Sequence, residues 1–294
     1  MTFGALHARF IETLQEIYPH SEARNITRWV WKCIADVTPS KLLVKHNESI
    51  PAALIDKLLG TLEQLKTKRP VQYVLEEAWF YGLHFRVNES VLIPRPETEE
   101  LVEWVVKDQK VERKENGVFL DIGTGSGCIA ISIKHQLPMA TVTAIDISEA
   151  ALAIATENAH THSCDVELKK TNALDPAEMN ALGMYDVIIS NPPYIAQKES
   201  AEMHENVLKY EPAMALFVPN EDPLLFYREI AAFAKSHLRE NGKIYFEINE
   251  NLGEATVALL KEMGFEVTLR KDAQGKDRML ACSLLHGSNS ICPQ

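Results

Sequence analysis

From residue 97 onward, short apolar runs alternate with longer segments whose apolar residues recur at helical spacing. The apolar runs predict strands at 118–120, 141–147, 166–171, 186–189 and 244–248. The segments between them predict helices at 97–110, 127–137, 149–161, 223–238 and 253–263. This alternation predicts an α/β fold in which helices cover both faces of a mostly parallel sheet.

The last two strands, expected at 265–270 and 278–285, break the alternation. The segment between them is too short for the crossover that a parallel pair requires. We therefore expect the last strand to run antiparallel to its neighbours.

The first part of the chain carries a different pattern. Amphipathic segments at 3–18, 22–36 and 50–65, the last starting at Ser49, predict a small helical domain over 1–68. A linker over 69–96 contains apolar stretches that predict two short strands in a hairpin. The alternating region is then a domain over 97–294, in which Asp222 is expected to cap a helix that has Pro223 in its first turn.

Charge and cysteine content disfavour several classes of protein. The net charge of −11 divides into +2 for residues 1–88 and −13 for the remainder, and so acidic a region repels phosphate backbones. The five cysteines are widely spaced, which argues against a disulfide framework or zinc site and for a reducing compartment. No metal site is predicted. No apolar run approaches the ~18 residues of a membrane span, and no secretory signal pattern is present, so a cytoplasmic location is expected.

Three alternating glycines, Gly123, Gly125 and Gly127, join an expected strand to an expected helix. Glycine at such a turn lets the backbone approach a ligand closely and presents N–H groups at a helix N-terminus. Asp146 follows at the end of the next expected strand, where a carboxylate can accept both hydroxyls of a ribose. The pattern favours a nucleotide-bearing cofactor over a tight turn without a ligand.

Two cofactors compete for this loop. Dinucleotide-binding loops follow G-x-G-x-x-G, whereas the third glycine here comes earlier. Asp121, two residues before Gly123, is in a position to contact an amine-bearing ligand such as the methionyl part of S-adenosylmethionine. The spacing therefore favours S-adenosylmethionine.

The segment Asn191-Pro192-Pro193-Tyr194 follows the strand at 186–189, at the edge where open α/β sheets bind ligands. The prolines fix the backbone and remove two N–H donors. Asn191 Oδ1 and a proline carbonyl then form an acceptor pair suited to an –NH2 group, while Tyr194 offers an aromatic face to a flat substrate. A stiff turn that ends a buried strand is the structural alternative. The four residues in this order favour methyl transfer to a planar amide-type nitrogen, by orientation and electrostatics.

These residues together resemble the class I amino-methyltransferases. The segment 91–99, which reads Val-Leu-Ile-Pro-Arg-Pro-Glu-Thr-Glu, is similar to one in the HemK-like family, the release factor N5-glutamine methyltransferases. The resemblance covers nearly the whole chain. It implies a Rossmann-like class I methyltransferase sheet, S-adenosylmethionine as cofactor, and the glutamine of the Gly-Gly-Gln loop in peptide chain release factors as substrate.

The resemblance also implies roles for individual residues. The implied cofactor contacts are Asp121, Gly123, Thr124, Gly125, Ser126, Gly127, Asp146, Asn172, Ala173 and Asn191. The implied substrate contacts are Asn191, Pro192, Pro193, Tyr194 and Arg95, with the chemistry assigned to Asn191, Pro192 and Tyr194. Some family members carry an aromatic residue near the adenine where this chain has Ala173, so the contact there is expected to be backbone or apolar. Asn172 is expected to bond the adenine amine, and the expected pocket walls are Phe119, Ile147 and Leu174.

Two other functions are compatible with the sequence. An adenine-N6 or cytosine-N4 methyltransferase would use the same four-residue turn on a flipped base, and a non-catalytic adaptor would need only the fold. The acidic region disfavours the first, and the intact Asp146 and Asn191 disfavour the second. The expected partners are release factors, recognised by residues 1–68, without nucleic acid or membrane, and the expected state is a monomer. Glu247 is interpreted either as facing the cofactor edge or as a solvated carboxylate, and Arg95 either as a substrate contact or as a clamp on the turn.

Overall fold

The computed structural model describes residues 1–285, which form two compact units. Unit 1 comprises Met1–Glu77 and His204–Tyr210, and unit 2 comprises Ala78–Met203 and the chain from Glu211 onward. The α-helices are α1 (Phe3–Gln15), α2 (His20–Ala35), α3 (Pro39–Lys45), α4 (Ala52–Lys66), α5 (Val71–Leu75), α6 (Pro96–Val111), α7 (Cys128–Gln136), α8 (Glu149–Thr161), α9 (Pro176–Met179), α10 (Glu205–Tyr210), α11 (Ala213–Leu216), α12 (Leu225–His237) and α13 (Gly253–Glu262). The strands are β1 (Glu77–Phe80), β2 (Leu83–Arg86), β3 (Val118–Ile122), β4 (Thr141–Asp146), β5 (Glu167–Lys170), β6 (Tyr185–Ser190), β7 (Ile195–Ala196), β8 (Phe217–Val218), β9 (Leu238–Glu247), β10 (Phe265–Lys271) and β11 (Asp277–Leu284). Cys292 and the end of the expected 97–294 domain lie outside the described residues.

In unit 1, the long helices α1, α2 and α4 each bury one apolar face. Leu6, Phe10 and Leu14 recur at helical spacing on α1 and are fully buried. The ring of Phe10 meets the edge of Trp31 on α2 with centroids 6.0 Å apart. The predicted start of α4 at Ser49 is wrong, because Ser49 pairs with Thr2 in an antiparallel bridge and Pro51 occupies the N-cap position.

The hairpin of the linker is β1 and β2, which form a two-stranded sheet. Tyr81 and Gly82 connect them with φ of 49° and 77°, the left-handed pair that a tight hairpin turn requires. The apolar stretch 91–93 forms no strand.

Unit 2 contains a seven-stranded sheet in the order β10-β11-β9-β6-β3-β4-β5. Strands β9, β6, β3, β4 and β5 run parallel, and β11 is antiparallel to both β9 and β10. The α/β class, the Rossmann-like order and the antiparallel last strand are therefore confirmed. Because β4 and β6 lie on opposite sides of β3, the carboxyl ends of β3 and β6 border the switch point where open α/β sheets bind ligands.

Both faces of this sheet are buried, as a parallel sheet requires. On β6, Val187 and Ile189 contribute to one apolar cluster while Ile188 contributes to the other. Helices α6 and α7 pack on the first face and α12 on the second. The near-continuous apolar runs in the sequence have their origin in this two-sided burial.

For the segment between β6 and α12, the sequence analysis predicted no helix or strand. It contains the short parallel pair β7 and β8 and a 3₁₀ helix at Gln197–Glu202. The predicted cap of α12 is also wrong. The carboxylate of Asp222 bonds the Arg228 guanidinium, at 3.1 Å to Nη1, and α12 begins at Leu225 without a side-chain cap.

Candidate active site

A cavity of about 410 Å³ opens at the carboxyl ends of β3, β4 and β6 in unit 2. This volume lies in the range of small-molecule sites. Of the residues proposed from sequence, the cavity is lined by Gly123, Gly125, Asp146, Asn172, Ala173, Asn191, Pro192 and Pro193. The lining does not include Asp121, Thr124, Ser126, Gly127, Tyr194 or Arg95. The structure thus brings the two main motifs together at one opening.

The glycine loop is closed by its own hydrogen bonds. The N–H groups of Gly123 and Thr124 donate to Ile145 O at 2.9 and 3.0 Å, and Gly127 N donates to Thr124 O. Gly125 N donates to Asp146 Oδ2 at 2.9 Å. These N–H groups are therefore committed within the protein, so the glycines serve mainly to bring the backbone close to the cavity.

Gly127 has a packing role between helices α7 and α8. Its φ is +80°, and a Cβ at this position would lie 2.8 Å from Ile131 Cδ1 and 3.2 Å from Ala155 Cβ. Only glycine allows both the turn and this close approach. The neighbouring Ser126 carbonyl accepts from Asn158 Nδ2 at 2.9 Å, which ties the loop to α8.

Asp121 lies beneath the loop and is almost fully buried. Its Oδ2 accepts from the Thr124 hydroxyl at 2.6 Å, while Oδ1 has no hydrogen-bond partner within residues 1–285. Burial raises the pKa of Asp121 to about 7, against the lowering by the Thr124 hydroxyl and the Ala130 backbone N–H, and the nearby Asp146 charge adds to the rise. Asp121 therefore holds the loop from below, next to the cavity.

Asp146 lines the cavity at the end of β4. Its Oδ2 accepts from Gly125 N and its Oδ1 from Ser148 N, each at 2.9 Å. A carboxylate has about four acceptor sites, so each oxygen retains capacity for one further donor. The two bonds fix the carboxylate in place and leave it able to accept a pair of hydroxyls.

Beyond Asp146 the cavity wall is apolar and partly open. Ile147 and Leu174 line it with 42% and 37% of their surface exposed. The expectation that Phe119 also forms a wall is wrong, because alternate residues of β3 face opposite sides and Phe119 is buried in the cluster beneath α6 and α7. Asn172 Oδ1 accepts from Leu174 N at 3.0 Å, which shapes the loop after β5.

The turn after β6 presents Asn191, Pro192 and Pro193 to the cavity. Tyr194 instead packs against the apolar cluster on the face of the sheet covered by α12, and its hydroxyl donates to Glu247 Oε1 at 3.3 Å. Burial is the largest cause that raises the pKa of Tyr194, so the phenol stays protonated.

The side chain of Asn191 belongs to a hydrogen-bond chain that leads into the protein interior. Its Nδ2 donates to Thr98 Oγ1 at 3.1 Å, and Thr98 Oγ1 donates to Glu247 Oε2 at 2.5 Å. Glu247 is only 1% exposed, which corrects the interpretation of a solvated carboxylate. Burial raises the pKa of Glu247 to about 7, opposed by the Thr98 hydrogen bond and the Arg278 charge.

Arg95 pairs with a buried partner instead of bonding the turn after β6. Its Nη2 lies 2.6 Å from Oε1 of Glu211, whose side chain is 1% exposed. The other oxygen of Glu211 accepts from Ile93 N at 3.3 Å. Glu211 thus bonds both the guanidinium of Arg95 and the backbone of Ile93, and these two bonds hold the segment before α6 in place.

The sequence interpretation missed Thr98 and Glu211 and left Glu247 undecided. Thr98 stands three residues after Arg95, in the segment that carries the family resemblance. Glu247 ends the apolar run Ile244-Tyr245-Phe246, which was the available signal that its side chain is buried.

Within the described residues no group of His, Cys, Asp and Glu is arranged to hold a metal ion. Among residues 1–285, no helix combines the length and the hydropathy of a membrane-spanning segment.

Comparisons with known proteins match both parts of the chain. Residues 101–214 match the family model described as Methyltransferase small domain, and residues 5–75 match PrmC N-terminal domain. A protein of Flavobacterium psychrophilum named release factor glutamine methyltransferase is 43% identical, covering 92% of this chain and 95% of its own. One of the same name from Bacteroides thetaiotaomicron is 40% identical, covering 92% and 96%.

A likeness among solved structures supports the fold alone. The hMettl16 catalytic domain in complex with MAT2A 3′UTR hairpin 6 has a TM-score of 0.54 and 18% identity, covering 79% of this chain and 83% of its own.

Proposed function

This chain belongs to the release factor glutamine methyltransferase family, and from this we propose that it methylates the side-chain amide nitrogen of the glutamine in the Gly-Gly-Gln loop of peptide chain release factors. The observation that carries the proposal is the position of Asn191. Asn191 lines the cavity and its Nδ2 is held by Thr98, so its Oδ1 is the end left to accept a hydrogen bond from a substrate –NH2.

The cavity fits S-adenosylmethionine, the proposed methyl donor. Asp146 offers two fixed carboxylate oxygens to a ribose, and Ile147 and Leu174 offer apolar surface to an adenine. Gly123 and Gly125 line the cavity where the backbone must approach the ligand. When bound, this cofactor supplies an electrophilic methyl group on a sulfonium. Asn172 and Ala173 complete the proposed adenine contacts, with backbone and apolar groups at Ala173.

The residues around the turn after β6 then orient the nucleophile. Asn191 Oδ1 and the Pro192 carbonyl each accept one hydrogen of the glutamine –NH2, which turns the nitrogen lone pair toward the methyl group. The same bonds stabilise the nitrogen as it loses its amide conjugation. The attack needs no strong base. As the carbon–nitrogen bond forms, the bond from the methyl carbon to sulfur would break and the neutral thioether would leave, after which the methylated nitrogen would give up one of its two hydrogens to solvent. Tyr194 contributes through its contact with Glu247.

Mass spectrometry of purified release factor after incubation with this protein and isotopically labelled methyl donor tests the proposal. We expect one labelled methyl group on the peptide that contains the Gly-Gly-Gln sequence and none when its glutamine is replaced by leucine. Asn191→Ala should slow single-turnover methylation about 100- to 1000-fold, because it removes the acceptor that orients the substrate nitrogen. The fold should survive, since the prolines still shape the turn. Label on adenine or cytosine of added oligonucleotides, with none on release factor, would assign the nucleic acid function instead.

Unit 1 is proposed to recognise the release factor, and the enzyme is proposed to act in the cytoplasm, where its substrate works. The four cysteines within the described residues are free thiols, which agrees with a reducing compartment.

A further inference from the structure

In the hydrogen-bond chain from Asn191 through Thr98 to Glu247, the number of hydrogens that each group carries decides which group donates and which accepts. An ionised carboxylate can only accept, and the Thr98 hydroxyl has a single hydrogen to give. With the Thr98 oxygen 2.5 Å from Glu247 Oε2, that hydrogen is given to the carboxylate. The Thr98 oxygen can then only accept from Asn191, so the group 3.1 Å away must be the amide –NH2.

The second carboxylate oxygen of Glu247, at the other end of the hydrogen-bond chain, also has a donor. Tyr194 donates its hydroxyl to the other carboxylate oxygen, Glu247 Oε1, at 3.3 Å. Glu247 and Thr98 are 1% and 2% exposed, so water does not compete for these bonds. Each member of the chain therefore has one role, and the orientation of the Asn191 amide follows from the charge on Glu247.

We propose that Thr98 and Glu247 are positioning residues which hold the Asn191 amide with its oxygen toward the cavity, so that the enzyme presents an acceptor to the substrate nitrogen. This inference rests on the proposed function and adds to it the reason why Asn191 faces one way. If the amide turned over, its –NH2 would meet the substrate –NH2, and two donors cannot form a hydrogen bond.

Protonation of Glu247 would reverse the chain. A neutral carboxyl group can donate to Thr98, Thr98 can then donate to Asn191, and the amide oxygen would turn inward. Burial holds the pKa of Glu247 near 7, where this change falls within the accessible range of pH. The titratable groups that act on Glu247 or are acted on by it come from several elements: Arg278 on β11, Glu97 on α6, Cys128 on α7, Tyr227 on α12, and Tyr194.

A pair of substitutions at Thr98 separates positioning from packing. Thr98→Val keeps the shape of the side chain but removes the hydroxyl, whereas Thr98→Ser keeps the hydroxyl. At saturating methyl donor, we expect Thr98→Val to slow single-turnover methylation of release factor about 10- to 100-fold, with donor affinity unchanged. Thr98→Ser should remain within a few-fold of wild type. Equal rates for Thr98→Val and wild type, or a loss that comes entirely from donor affinity, would overturn the proposal.

Glu247→Gln supplies the pH readout. In the wild type the single-turnover rate should fall as the pH is lowered through about 7, and in Glu247→Gln this inflection should disappear. An unchanged pH profile in Glu247→Gln would contradict the proposed chain.

The amide signals of isotopically labelled Asn191, assigned with Asn191→Ala, test the same orientation by NMR without any substrate. They should shift with pH in the wild type, with a midpoint near 7, and stop doing so in Thr98→Val. Signals that titrate identically in both proteins would overturn the proposal. This readout separates its failure from that of the proposed function, since a wild type that leaves release factor unmodified would still show the titration.

Discussion

At the scale of residues, three carboxylates lie at or next to the carboxyl ends of strands in unit 2, and each meets a different environment. Asp146 on β4 lines the cavity, with backbone N–H groups on both oxygens. Asp121 on β3 is buried with one oxygen unpartnered, and Glu247 on β9 is buried between two hydroxyl groups. The same chemical group is therefore suited to a ligand contact, a loop anchor and a positioning role, depending on which donors reach it.

Asp146→Ala should weaken methyl-donor binding. The change removes the proposed acceptor of the ribose hydroxyls and the acceptor of Gly125 N. Charge-assisted hydrogen bonds of this kind contribute roughly 1.5–3 kcal/mol each, so affinity measured by calorimetry should fall more than about tenfold. Asp175→Ala, at a carboxylate that caps α9 and does not line the cavity, is the matched control. Unchanged affinity in a folded Asp146→Ala protein would refute the placement.

Asp121 should make the protein less stable as the pH rises. Its pKa in the folded protein is about 7 against an ordinary value of 3.8, so between these values the folded state binds more protons than the unfolded state. The free energy of unfolding then decreases from about pH 4 to about pH 7, by an amount on the order of a few kcal/mol.

Urea unfolding at pH 5 and pH 8 tests this contribution. Asp121→Asn should lose less stability between the two pH values than wild type does, whatever its constant cost from the altered hydrogen bonds. The same change at exposed Asp165 controls for net charge. Parallel stability curves for Asp121→Asn and wild type would show that burial of Asp121 does not shift its titration.

At the scale of elements, the predictions from sequence that were wrong concern residues whose partners lie far away along the chain. The strands β3, β4 and β6 were predictable because burial on both faces produces apolar runs that are visible locally. Ser49 and Asp222 are good capping residues by type. Their actual partners, Thr2 and Arg228, are chosen by the tertiary fold.

The candidate site divides in the same way. The glycine loop, Asp146 and the Asn191 turn are contiguous or regularly spaced in sequence, so their types and positions could be predicted. Thr98 on α6 bonds Asn191 and Glu247 on β9 bonds Thr98, although the three residues are far apart along the chain. Neither residue is unusual by type, and only their proximity in the fold gives them a role.

Gly127→Ala tests the contact between α7 and α8. The added methyl group would meet Ile131 and Ala155 at a positive φ, and overpacking of this kind costs about 1–3 kcal/mol. The free energy of unfolding in urea should fall accordingly. Gly60→Ala, in the interior of α4 with no atom within 4 Å of the new Cβ, should instead stabilise by about 0.5–1 kcal/mol. The same sign for both substitutions would contradict this account.

At the scale of the whole molecule, the helical part and the cavity belong to different units. All of the residues that line the cavity lie in unit 2. Helix α5, at Val71–Leu75, belongs to unit 1 although the sequence interpretation assigned it to the linker after residue 68. Residues 1–77 therefore contribute no residue to the cavity lining.

A chain that begins at Ala78 should still bind the methyl donor but methylate intact release factor poorly. We expect kcat/KM on release factor to fall by about tenfold or more, equivalent to 1.4 kcal/mol of lost transition-state binding. Turnover of a short peptide that contains the target glutamine should change little, since the peptide lacks the surfaces that unit 1 is proposed to recognise. Equal kcat/KM on release factor for both chains would exclude recognition by residues 1–77.

Helix α10 belongs to unit 1 but is synthesised long after the rest of that unit. Tyr210 donates its hydroxyl to Thr67 O at 2.9 Å, and Lys68 Nζ lies 2.7 Å from Glu205 Oε2. These partners are separated along the chain by the whole of Ala78–Met203. At ribosomal rates of about 5–20 residues per second, on the order of ten seconds passes between the synthesis of Thr67 and Lys68 and the synthesis of their partners on α10. The amino-terminal unit is thus translated first but cannot be completed until most of the second unit has left the ribosome.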